Sequence, residues 1–135
     1  MKPRTGVLVH KPHQFDPDDL LHFVETDEFC EDWYDLGFNL ETDLWELQTI
    51  IMSAPDRAPV IPATGGLRKL RFGRKQQGVG KSGGARVCYA YFKKHRIVLL
   101  VMAYGKDRKD DLTSQEKHGI AEYLARIEHY LDERT

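Results

Sequence analysis

The sequence predicts an α+β domain in which helices pack on an antiparallel sheet. Three observations predict it. Leu40, Leu44, Leu47 and Ile51 recur at helical intervals in the first half. Residues 67–104 then change to period two and are rich in aromatic and β-branched side chains. Helical spacing returns in Ile120, Leu124, Ile127 and Leu131. Helices, then hairpins, then a helix are expected to form two packed layers. The 135 residues suit one domain able to bury a core without disulfides.

Residues 1–19 hold Pro3, Pro12 and Pro17 among polar neighbours and read as an N-terminal extension. Residues 20–135 are expected to be the folded domain. Leu20 to Glu25 reads as a first strand. Thr26 or Asp27 caps a helix running to Asp35, with Phe29, Trp33 and Leu36 on one side and Gly37 at its end. The Leu40–Ile51 stripe forms a second helix, stopped by Pro55. Two prolines and two glycines make 56–66 a loop. Leu67 to Phe72 alternates as a strand, with Lys69 and Arg71 sharing the face of Leu67. Leu70 and Phe72 share the other face with Arg68. Residues 73–84 form a Gly/Lys/Gln loop. Ala85–Phe92 and Arg96–Tyr104 read as strands, with Lys93-Lys94-His95 as a hairpin turn. Thr113-Ser114-Gln115-Glu116 matches the capping box that opens a last helix.

Composition excludes several classes. The longest apolar run, Ile97 to Tyr104, is far shorter than the ~20 residues that span a bilayer. No secretory signal is read at the start. Cys30 and Cys88 fit neither a disulfide framework nor a zinc ribbon, so a reduced, cytoplasmic compartment is expected. No histidine pair has ligand spacing, and the histidines are expected at the surface. Neither a metal nor another cofactor is called for. Gly78-Val79-Gly80-Lys81-Ser82 is not a phosphate loop, because Lys75 stands where the first glycine must be and a strand follows.

Charge is informative in its distribution. The net is −1, yet residues 1–65 hold 4 Lys/Arg against 13 Asp/Glu, and 66–109 hold 13 Lys/Arg against the single acid Asp107. A concentrated positive stretch is the footprint of a phosphate-rich partner. Within it, Arg68, Lys69, Arg71, Arg86, Tyr104 and Lys106 fall on strands and strand ends. Arginine and lysine there can clamp phosphate oxygens and stabilise charge built on a phosphorane. Arg68, the loop residues Arg74, Lys75 and Lys81, and Arg108 and Lys109 are expected as further contacts to that phosphate-rich partner, which the resemblance below implies is RNA.

Three segments carry a resemblance: Ile61-Pro62-Ala63-Thr64-Gly65-Gly66-Leu67-Arg68-Lys69-Leu70-Arg71, then Gly80-Lys81-Ser82-Gly83-Gly84-Ala85-Arg86-Val87, then Ala103-Tyr104-Gly105-Lys106 with Asp111-Leu112-Thr113. Together they resemble the RelE superfamily of bacterial toxins, in its HigB-like branch, over about Phe23 to Leu131. The resemblance implies a RelE-like two-layer fold and a toxin of a type II toxin–antitoxin system. It implies a metal-independent, ribosome-dependent mRNA endoribonuclease that inhibits translation, with a HigA-like antitoxin, the ribosome and mRNA as partners and no membrane association. By motif, Lys69 and Arg71 match the basic pair that orients the 2′-hydroxyl region and holds phosphate oxygens. Arg86 matches the arginine that stabilises the transition-state phosphate, and Lys106 adds charge from the strand-end Gly-Lys motif. Asp107 and Thr113 stand where the archetypal RelE carries an arginine and a tyrosine. The general acid or base is therefore left open among Tyr104, Arg108 and a lysine whose pKa like-charged neighbours push down. Two alternatives stay open: a ParE-like toxin that binds a protein such as DNA gyrase without cleavage, and an inactive toxin-like binding domain.

Overall fold

Thr26 ends one element and starts the next. Its backbone is extended, and its hydroxyl accepts from the Phe29 amide at 3.0 Å, capping a helix. The computed structural model describes residues 20–73, 84–108 and 112–134. These form β1 (His22–Glu25), α1 (Asp27–Asp35), α2 (Thr42–Ser53), β2 (Leu67–Phe72), β3 (Ala85–Phe92), β4 (Ile97–Gly105) and α3 (Ser114–Glu133). The bounds of β2 and β3 are those expected from sequence. So is the capping box of α3, with Thr113 and Glu116 exchanging hydrogen bonds.

The sheet order is β1-β4-β3-β2. β2 with β3 and β3 with β4 are antiparallel, but β1 runs parallel to β4, from His22 opposite Ile97 to Glu25 opposite Leu100. The sheet is therefore mixed, not antiparallel as expected. Hairpin connections set the direction of β2, β3 and β4. No short turn constrains β1, which joins β4 across a long crossover.

The expected two layers are corrected to three. Alternate residues of β3 enter different cores. Val87 and Tyr89 pack with Phe23, Phe29, Trp33, Leu44 and Leu47 from β1, α1 and α2. Cys88, Ala90 and Phe92 pack with Leu99, Met102 and Leu124, joined by Ile120, Ile127 and Leu131 of α3. Helices thus cover both faces. β3 and β4 are apolar on both sides, and each side needs a cover.

Four local expectations also change. Leu40 is not helical: α2 starts at Thr42, and Leu40 is 44% exposed in the preceding turn. Asn39 captures that turn, its Oδ1 accepting from the Glu41 and Asp43 amides. β1 begins at His22 rather than Leu20. Arg96 belongs to the hairpin turn, with a left-handed backbone (φ 59°) after the 3₁₀ turn Lys93–His95. Not every histidine is a surface residue, since the His95 side chain is only 4% exposed.

One irregularity shapes β4. Cys88 pairs with Met102 but Tyr89 pairs with Leu100, so Val101 is an extra residue, a β-bulge. Helix α1 serves the backbone groups beside it. Thr26 Oγ1 donates to the Val101 carbonyl at 2.7 Å, and the Ala103 amide donates to Asp32 Oδ2 at 3.0 Å. The bulge lies three residues before Tyr104 and re-aims the end of the strand.

Candidate functional site

The site is built by alternation and register. Alternation on β2 puts Lys69 and Arg71 on the face of Leu67, which is the α3 face. Arg71 lies opposite Arg86, and Arg86 lies opposite Tyr104. Lys69 lies opposite Cys88, the neighbour of Arg86 along that face. Four sequence-predicted residues from three strands therefore form one patch. It occupies the end of the sheet where β3 begins and β4 ends. The α3 apolar stripe packs in one cluster with Leu67, Ala90 and Phe92, and Tyr104 belongs to the same cluster.

The patch is positive. Among the described strand residues of this face none is acidic. Like charges directly opposite on neighbouring strands repel. Arg71 is exposed, Lys69 and Arg86 are half-buried, and Tyr104 is 8% exposed. Among the described residues, Arg86 Nη1 is buried with no hydrogen-bond partner. A buried donor left unsatisfied costs about 1–3 kcal/mol, more when charged. A ligand, an ion or an ordered water is the usual partner of such a donor.

Gly84 allows the strands to meet at this end. A β-carbon there would lie 1.9 Å from the Phe72 carbonyl oxygen, on backbone that cannot yield. Only glycine permits that approach two residues before Arg86.

Tyr104 has a cation over its ring, the Arg108 guanidinium at 5.3 Å. Lys106 is exposed in the turn after β4, and the Arg108 amide donates to the Gly105 carbonyl there. Arg68 is not part of the patch. It lies on the opposite face, and its Nη1 donates to the carbonyls of Asp56 (2.9 Å) and Ala58 (2.7 Å), tying down the α2–β2 loop. Arg74, Lys75, Lys81 and Lys109 lie outside the described residues.

Sequence reasoning missed a cleft of about 440 Å³ next to the patch. Arg108 lines it together with Thr26, Glu28, Met102, Ile120 and Tyr123. Its walls come from α1, β4 and α3, which no local pattern connects. On the far face, the Tyr89 hydroxyl donates to the Pro55 carbonyl at 2.8 Å, and burial pushes its pKa up to about 12 against the pull of Arg68.

Among the described residues, no group of three or more His, Cys, Asp or Glu is placed to hold a metal ion, and no helix is long and apolar enough to cross a membrane. No family model matches the chain. The patch itself offers three cations and a phenol on a rigid sheet. That arrangement can bind a phosphodiester and neutralise charge that grows on it.

Proposed function

We propose that the protein is a RelE-type, HigB-like toxin that cleaves mRNA on the ribosome without a metal. The observation that carries this reading is the register alignment of Lys69, Arg71, Arg86 and Tyr104 at one end of the sheet. Lys69, Arg71 and Arg86 are positions to which the resemblance to that family assigns a role.

In this reading the ribose 2′-oxygen attacks the adjacent phosphorus. The O2′–P bond forms and the P–O5′ bond breaks. The products are a 2′,3′-cyclic phosphate and a 5′-hydroxyl, and the 2′-proton leaves as the O5′ gains one. Arg71 and Arg86 hold the non-bridging oxygens. The unsatisfied Arg86 donor acquires an acceptor as charge develops there. Lys69 orients the 2′-hydroxyl region, and Lys106 adds charge from the strand end. Tyr104, opposite Arg86, is the group we assign to proton transfer, with its ring held under Arg108. Positioning and electrostatics supply most of the acceleration. A HigA-like antitoxin is the expected neutralising partner.

The test is growth arrest on induction, with mRNA 5′ ends mapped in the same cells, for wild type, Arg86→Ala and Lys69→Ala. Arrest by wild type alone, with new cuts inside translated frames, is expected. Arrest by all three without cuts overturns the nuclease and points to a protein target.

A further inference from the structure

A second surface lies on the helical side of the molecule. Residues 20–56 contain ten Asp or Glu and neither Lys nor Arg. Within this acidic region the end of α1 and the turn into α2 enclose a groove of about 590 Å³, lined by Cys30, Tyr34, Phe38, Leu40 and Glu41. Tyr34 is 81% exposed and Leu40 44% exposed, although the opposite side of α1 buries Phe29 and Trp33 completely. Two large apolar side chains held in water beside a groove mark a contact surface.

The groove is preformed. Its floor, Phe38, packs on the core residue Trp33 with ring centroids 4.5 Å apart. The Trp33 indole donates to the Asn39 carbonyl at 2.7 Å, and the Asn39 amide donates to Asp43 Oδ2 at 2.8 Å. A wall tied to the core in this way lowers the backbone ordering cost of binding.

Charge selects the occupant. Glu31, Asp35 and Glu41 are exposed on and beside the groove. An RNA backbone or an anionic lipid surface is repelled there, whereas a cationic polypeptide is attracted. We infer that this groove docks a basic protein segment that inserts an aliphatic or aromatic side chain between Tyr34 and Leu40 and places Lys or Arg against the acidic rim. This inference is independent of whether the sheet patch cleaves RNA.

Cys30 is a reporter in the groove wall, and Cys88, only 1% exposed in the core, is an internal control. The experiment measures iodoacetamide alkylation of Cys30 in the full chain, with and without a synthetic Lys/Leu amphipathic peptide. Backbone amide shifts of Gly37 and Leu40 provide a second readout. The expected result is several-fold slower alkylation of Cys30 and shifts confined to the groove, both lost in Tyr34→Ala, in Leu40→Ala and at high salt. Equal effects from a Lys→Gln or a Leu→Ala version of the peptide overturn the inference. So does equal protection by an oligouridylate, or protection without peptide that tracks dimer formation in sedimentation. Absence of both protection and amide shifts overturns it as well.

Discussion

Arg71 on β2 and Arg86 on β3 stand directly opposite one another in register. Two cations at that spacing repel, and relief of the repulsion is worth roughly 0.2–1 kcal/mol on neighbouring strands. Arg71→Gln is therefore expected to raise stability by about that amount, read as a higher urea midpoint with an unchanged slope. The same substitution is expected to abolish growth arrest. A variant that gains stability and loses activity together separates a functional arrangement from a structural one; a loss of stability would sink this account.

Gly84→Ala tests the close approach that assembles the patch. The added methyl meets the backbone of Phe72 and Gly73 rather than a flexible side chain. Strain of this kind typically costs about 1–3 kcal/mol. Denaturant unfolding is expected to show that loss, and β2–β3 amide resonances at Phe72 and Ala85 are expected to shift. Unchanged stability would mean that the strands are not held so closely.

Tyr89 is expected to limit stability in alkali. Its folded pKa, about 12, lies above the ordinary value of 10.0, because burial disfavours the phenolate. The folded state therefore holds its proton longer than the unfolded chain does. The resulting stability is fully present below pH 10 and lost as pH rises from about 10 to about 12. Tyr89→Phe also removes the hydrogen bond to Pro55, at about 0.5–1.5 kcal/mol near neutral pH. Melting temperature against pH is the measurement, and the variant is expected to show a shallower alkaline decline than wild type.

Asp132 ties the end of α3 to the β3–β4 turn. His95 Nε2 lies 2.8 Å and Lys94 Nζ 3.2 Å from its Oδ1. Hydrogen bonds from His95 and Lys94 hold its carboxyl below the usual range. A depressed carboxylate contributes stability above its unfolded pKa, near ~4, and loses it as pH falls through the folded value. Asp132→Asn is expected to flatten the acid limb of the stability curve below about pH 4. An acid limb identical to wild type would show that the contact contributes nothing.

Much of the candidate site was legible in the sequence because it depends on local periodicity. Period two on Leu67–Phe72 places Lys69 and Arg71 together and sends Arg68 to the other side, and the structure agrees on all three. The Thr113–Glu116 box announces α3 from four residues. Leu40 misled because its spacing fits the stripe, while the Asn39 side chain competes for the same backbone groups and delays the helix. The orphaned Arg86 donor and the Arg108 cleft had no local signature, while the groove's acidity was legible in residues 20–56 and its shape was not.

The sequence by itself determined the order of the elements, the bounds of β2 and β3, the caps of α1 and α3, and which charges share one strand face. Those follow from interactions within a few residues. Tertiary structure alone decided that β1 runs parallel to β4, that helices cover both sides of the sheet, and that Arg86 comes between Arg71 and Tyr104. Each of these depends on pairing between segments far apart in the chain. Strand register and burial of both β3 and β4 faces choose among arrangements that local propensity leaves equal.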